Sequence, residues 1–245
     1  MFGRGLKLLS ALRSGKAREH AWRTIESYNQ LPDTTCPCCG FTGKFDSFGL
    51  RARLGANCPS CESKERHRLF ALAMQRGFLS FAGCDVIHFA PEGIVRRMVT
   101  EDSPASYRSA DLTPGVGDLV LNLEAIDLPA GSVDRIVCSH VLEHVDDAKA
   151  LAEMRRILRP GGYAVLLVPL IEGWDDTFED PSITLEAERE LYFGQYDHVR
   201  YYGRDFRQRI VASRLDLAEY TAGPRDTPRH GLSHGEKIFR ATKAP

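Results

Sequence analysis

The sequence predicts an α/β protein in two parts: a small cysteine-held module, then a mostly parallel β-sheet with helices on both faces. Three observations carry this. Four cysteines near the N-terminus have the spacing C-x2-C-x18-C-x2-C. From about residue 84 the chain alternates short, nearly continuous apolar runs with amphipathic stretches, and strands apolar on both sides need cover on both faces. The 245 residues leave room for one domain with a sizeable core beside a small module.

Residues 1–30 read as a basic helix, with Phe2, Leu6, Leu9 and Leu12 along one face and Arg4, Lys7, Arg13 and Lys16 around them. Residues 31–80 hold the cysteine module and a linker helix. Cys36 and Cys39 lie in CPCCG, and Cys58 and Cys61 in CPSC. This spacing reads as a structural zinc site, because two intervening residues let one tight turn present both sulfurs to the same ion. Pro37 and Pro59 stiffen those turns, and Gly40 supplies permissive backbone after the first. With all four tetrahedral positions filled by protein, the metal holds structure and activates no water. Cys38, inside the first knuckle, is a competing ligand with poorer spacing. Residues 62–77 then predict a helix capped by Gly77.

Residues 81–245 form the second part. Val86–Ala90 predicts a strand, residues 93–99 a helix, Tyr107–Leu112 a second strand, Leu119–Leu123 a short third and Val133–Ser139 a fourth. A helix over residues 148–158 carries Leu151, Met154, Ile157 and Leu158 on one side and stops at Arg159-Pro160-Gly161-Gly162. Tyr163–Val168 is a fifth strand, and Lys237–Ala241 a last one after a loop over residues 221–234. Ligands of such sheets bind at the carboxyl ends of the strands.

Composition is that of a soluble globular protein, 43% hydrophobic and 27% charged. No run approaches the roughly 18 apolar residues of a membrane span. Seven cysteines, with four in a thiolate site, argue for the reducing cytoplasm. The net charge of −1 conceals an asymmetry: residues 1–80 carry 13 Lys+Arg against 6 Asp+Glu, and the rest 19 against 27. A basic module of this kind suits nucleic acid, an anionic lipid surface or the acidic remainder of its own chain.

Asp134 through His144 reads D-x5-H-V-L-E-H, and R-P-G-G follows at residues 159–162. With the strands around them, these ordered motifs resemble the class I S-adenosylmethionine-dependent methyltransferases, in particular the group containing the ubiquinone and menaquinone C-methyltransferases. The resemblance covers residues 84–170. It implies a Rossmann-like, seven-stranded, mostly parallel sheet with helices on both sides, here joined to the N-terminal four-cysteine zinc ribbon.

The first motif departs from that family, whose first strand ends in D-x-G-x-G so that backbone approaches the cofactor closely. Here the stretch is His88-Phe89-Ala90-Pro91-Glu92-Gly93. Ala90 stands at the first glycine and Glu92 at the second, where it either meets a cofactor hydroxyl or amino group or simply begins the next helix. The resemblance also implies that Asp111 accepts the ribose hydroxyls, that Asn122 and the Leu123 amide meet the adenine edge, and that His140 faces the methionine end. His144 lies four residues beyond His140, on the same face if the segment is helical.

Glu172 to Asp205 is a long polar and aromatic stretch beyond the fifth strand, of the kind that caps a substrate site. Asp197 and His198, beside several tyrosines, are the expected substrate contacts, with His144 as a third catalytic candidate. The expectation is a cytoplasmic S-adenosylmethionine-dependent methyltransferase with a structural zinc ion, acting on a small molecule or glycan. The alternatives are an RNA methyltransferase engaging RNA through Arg51, Arg53, Lys64, Arg66 and Arg68, and a nonenzymatic zinc-containing binding protein on a degenerate methyltransferase fold.

Overall fold

The computed structural model describes residues 15–49 and 53–245. In chain order the elements are α1 (Gly15–Gln30), β1 (Thr34–Thr35), β2 (Thr42–Gly43), β3 (Asp46–Phe48), β4 (Arg53–Asn57), α2 (Glu65–Gln75), β5 (Asp85–Phe89), α3 (Gly93–Glu101), β6 (Ser106–Asp111), β7 (Leu119–Val120) and β8 (Val133–Ser139). There follow a 3-10 turn (Leu142–His144), α4 (Asp147–Ile157), β9 (Leu158–Leu167), β10 (Phe178–Glu179), α5 (Glu186–Phe193), β11 (Arg200–Tyr201), α6 (Phe206–Ala212), β12 (Asp216–Thr221), α7 (Asp226–His230) and β13 (Lys237–Thr242). The leucine stripe of residues 2–12 lies outside the described residues.

The chain divides into two compact units, residues 1–68 with 224–232, and residues 69–223 with 233–245. The boundary expected near residue 80 therefore falls inside α2, and part of the loop expected over 221–234 is α7, which joins the small unit. In that unit β1 pairs with β2 and β3 with β4, both antiparallel. His230 of α7 places Nδ1 2.7 Å from the Thr35 carbonyl oxygen. Arg68 is fully buried there, donating to the carbonyls of Ala56, Ser63, His230 and Gly231. This corrects its expected place in an RNA-binding patch: a fully buried guanidinium that donates to four backbone carbonyls is not presented to phosphate.

The large unit holds a seven-stranded sheet in the order β12-β13-β9-β8-β5-β6-β7. Pairings from β9 to β7 are parallel, and β13 is antiparallel to both its neighbours. Ile87, Ile136, Cys138, Leu166 and Phe239 are completely buried, as strands covered on both faces require. The R-P-G-G motif is structural. It starts β9 at the edge opposite the strands' carboxyl ends, where Arg159 donates to Asp85 (2.8 Å) and Asp134 (2.7 Å). A Cβ on Gly162 would lie 2.8 Å from the Asp134 carbonyl oxygen, so only glycine fits.

Residues 172–205 contain β10, β11 and α5. They are fastened from below by Arg200, whose side chain reaches Glu179 (2.8 Å) and the Val145 carbonyl (2.6 Å), and by Arg209, which bridges Glu179 and Asp147. Outward, Leu185, Leu191, Tyr192 and Tyr196 are exposed.

Candidate functional site

β5 and β8 are neighbours whose chain continuations leave in opposite directions across the sheet, β5 toward β6 and β8 toward β9. That reversal opens a crevice at the carboxyl ends. Four adjacent strands deliver the sequence-predicted residues to this edge in a row. His140 follows β8, Ala90 follows β5, Asp111 ends β6, and Asn122 lies just past β7. The register is fixed by backbone: Ala90 N–H donates to Ala110 (2.9 Å), Leu121 N–H to Asp111 (3.1 Å) and His140 N–H to Leu167 (2.8 Å).

Both central strands end in left-handed residues that are not glycine, Ala90 (φ 47°) and His140 (φ 55°). An L-residue there pays about 1–2 kcal/mol. At Ala90 the single methyl is the smallest side chain an L-residue can place in such a turn. Glu92 sits at the N-cap of α3 without capping it; its carboxylate accepts from Ser139 Oγ at 3.1 Å, tying together the ends of β5 and β8.

Asp111 Oδ1 accepts from the Thr113 amide at 2.8 Å, an Asx turn that orients the carboxylate. Asn122 does the same with the Glu124 amide at 2.9 Å and is exposed. Leu123 is a core residue, only 3% exposed, so any part it plays in recognition is through its backbone.

Beside this row lies a cleft of about 310 Å³, lined by His140, Val168, Leu170 and Glu172 from the carboxyl ends and by His234 and Lys237 from the segment entering β13. His140 Nδ1 is 3.2 Å from Glu143 Oε1. Behind it, His144 and His198 pack edge to face with ring centroids 4.6 Å apart. His144 Nδ1 is 3.3 Å from Asp197 Oδ2, and His198 Nδ1 donates to the Phe193 carbonyl at 3.0 Å. The Val199 amide donates to the Glu143 carbonyl at 2.9 Å, which ties the segment carrying Asp197 and His198 to the 3-10 turn. Burial lowers the His198 pKa, with Glu143 opposing.

The structure thus brings His144, Asp197 and His198 together from segments some fifty residues apart. Glu143 was quoted in the sequence motif without a role. Its signal in the sequence is a carboxylate between Leu142 and His144, three positions after His140.

In the small unit the sulfurs of Cys36, Cys39, Cys58 and Cys61 all lie within 4.8 Å of one another. Cys36 to Cys61 is 3.7 Å and Cys39 to Cys58 is 3.8 Å. Tetrahedral zinc with bonds of about 2.3 Å sets sulfurs about 3.8 Å apart, so the donors fit zinc. The two knuckles are copies: Gly40 N–H donates to Cys36 and Glu62 N–H to Cys58, each at 2.8 Å, with both donors left-handed (φ 80° and 60°). Cys38 stands outside the quartet, its thiol directed at the His67 carbonyl (3.5 Å), its pKa raised by its hydrogen bond with Cys36 and by burial.

The strand order and the cleft together define a doubly wound domain with an open edge at its switch point. Residues 83–166 match the family model described as a methyltransferase domain, and the seven-stranded, mostly parallel sheet has the Rossmann-like fold of that class. Among solved structures, an S-adenosylmethionine-dependent methyltransferase from Mesorhizobium loti is similar at 16% identity and TM-score 0.50, covering 71% of this chain and 98% of that one. A phosphoethanolamine N-methyltransferase from Haemonchus contortus, in complex with phosphomonomethylethanolamine and S-adenosylhomocysteine, is similar at 13% identity and TM-score 0.51, covering 73% and 53%. At these identities the likeness concerns the fold. A curated relative, an uncharacterized 37.1 kDa protein in transposon TN4556 of Streptomyces fradiae, is 38% identical over 78 residues; the alignment covers 31% of this chain and 22% of that relative. No helix among the described residues is long and apolar enough to cross a membrane.

Proposed function

We propose that the protein transfers a methyl group from S-adenosylmethionine to a small-molecule or glycan acceptor, with a structural zinc ion held by Cys36, Cys39, Cys58 and Cys61 and the cytoplasm as its compartment. The observation that carries this is the row His140, Ala90, Asp111, Asn122 along one carboxyl edge, each residue on its own strand end and oriented by a local hydrogen bond or a left-handed turn.

The bound cofactor supplies an electrophilic methyl on sulfur. The protein's work is to align the acceptor and exclude water. In this reading Asp111 takes the ribose hydroxyls, Asn122 and the Leu123 amide meet the adenine edge, and the left-handed Ala90 and the Glu92–Ser139 bridge shape the turn beneath the cofactor. His140 borders the methionine end and the 310 Å³ cleft. That volume suits a small acceptor. In the same reading His144, Asp197 and His198 stand on the acceptor side. The RNA alternative has less support: Arg68 is buried, Arg53 is paired with Glu65 at 3.1 Å, and Lys64 lies over the Phe48 ring at 4.1 Å. Arg51 lies outside the described residues. The nonenzymatic alternative rests on Ala90-Pro91-Glu92, and cofactor binding decides it.

Calorimetry with S-adenosylhomocysteine is the test. Asp111→Ala should weaken binding by about 1.5–3 kcal/mol, the value of a hydrogen bond to a charged group. Equal affinity of wild type and variant, or no binding by either, overturns the proposal.

A further inference from the structure

Glu143 is completely buried, and its Oε2 has no hydrogen-bond partner among the described residues. Its other oxygen meets only the His140 ring. A buried carboxylate compensated this thinly is costly unless a cation or further donors face it. Two imidazoles do face it. One ligand atom each from Glu143, His144 and His198 lies within 4.8 Å of the others.

We propose that Glu143, His144 and His198 form a second metal site, separate from the four cysteines, for a divalent first-row transition ion. The outer hydrogen bonds are those that metal-ligating histidines make. The Phe193 carbonyl can only accept, so His198 carries its proton on Nδ1 and Nε2 keeps a free lone pair. Asp197 stands 3.3 Å from Nδ1 of His144 and holds a proton there in the same way, leaving Nε2 of His144 as a donor. Two imidazoles and one carboxylate suit zinc, iron(II), cobalt(II) or manganese(II). Ligands on one such ion at bonds of about 2.0–2.2 Å are at most about 4.4 Å apart, so small side-chain rotations close the trio on it.

The fold supplies the placement. Glu143 and His144 come from the 3-10 turn after β8, while His198 is carried in by residues 172–205 and locked by the Val199 to Glu143 backbone bond. Three protein ligands leave positions open to water or an acceptor oxygen, unlike the closed cysteine quartet. The site stands directly behind His140, which borders the cleft.

Cobalt(II) added to the purified 245-residue protein tests this. Cobalt in the cysteine quartet shows intense thiolate charge-transfer absorption, and cobalt on nitrogen and oxygen ligands shows weak d–d bands alone. The wild type should bind one equivalent of the second kind. Glu143→Gln and His198→Gln should each weaken it at least 100-fold while circular dichroism and the charge-transfer bands stay unchanged. Asp197→Asn, which acts through His144, should weaken it about 10- to 100-fold. A folded wild type showing no second cobalt up to millimolar metal overturns the proposal, as does a folded Glu143→Gln protein with wild-type cobalt affinity. The site does not depend on the methyltransferase reading: S-adenosylhomocysteine affinity measured on the same samples tests that separately, and its absence beside intact cobalt binding would sink only that reading.

Discussion

His88 lies in β5, the strand that ends at Ala90, and it is fully buried in the sheet. Nδ1 is 2.8 Å from the Tyr107 hydroxyl, and Nε2 has no partner among the described residues. Burial lowers its pKa from 6.5 to about 4, opposed by the charge of Glu92 and reinforced by that of Arg96. The unfolded chain therefore takes up a proton near pH 6.5 while the native protein stays neutral until about pH 4. Stability is fully present above the unfolded pKa, falls as pH drops through this window, and levels off below it. The gap of roughly 2.5 units corresponds to about 3 kcal/mol in total, of which about 2 kcal/mol is lost between about pH 7.5 and about pH 5. His88→Gln keeps a polar partner for Tyr107 but cannot charge. Urea unfolding of both proteins across that range, followed by circular dichroism, should show the wild type losing about 2 kcal/mol more than the variant. Parallel stability-versus-pH curves would refute the reasoning, because another group would then carry the acid sensitivity.

The purified protein should contain one zinc in the cysteine quartet, and Cys58→Ser should release it and unfold the small unit, since binding energy there is folding energy. Elemental analysis together with thermal melting checks this, and a variant with full metal content and an unchanged melt would contradict it. Ala90→Gly should relieve left-handed strain of about 1–2 kcal/mol at an unfolded-state entropy cost of about 0.4–1 kcal/mol, for a net gain of up to about 1.6 kcal/mol in urea unfolding. A loss of stability would mean the Ala90 methyl packs usefully in the site. Replacing Ala90 by Val should instead destabilise, since branching at Cβ worsens the same clash.

Local pattern was enough for most of the scaffold. Apolar runs specify β5 and β8, and the one-sided apolar pattern specifies α4, to within a residue or two, because burial on both faces draws a strand mainly from Val, Ile, Leu and Phe. Two C-x2-C pairs specify the quartet, since the knuckle is a turn of a few residues whose geometry is local. The row along the carboxyl edge was legible for a related reason: the ends of parallel strands all lie on one edge, so Asp111 and His140 could be placed there by counting along the chain. Other features depended on distant partners. Arg68 looks like a surface cation in sequence, and only the return of residues 224–232 to the small unit makes it a buried crosslink to backbone carbonyls. Residues 216–221 alternate too weakly to declare a strand, and they pair because β13 is already there to pair with. The division inside α2 is invisible to periodicity, since one continuous helix serves both units. Glu143 and His198 are 55 positions apart and neither is unusual alone. Their meeting is decided by residues 172–205 folding back to the end of β8, a long-range contact that no local propensity encodes.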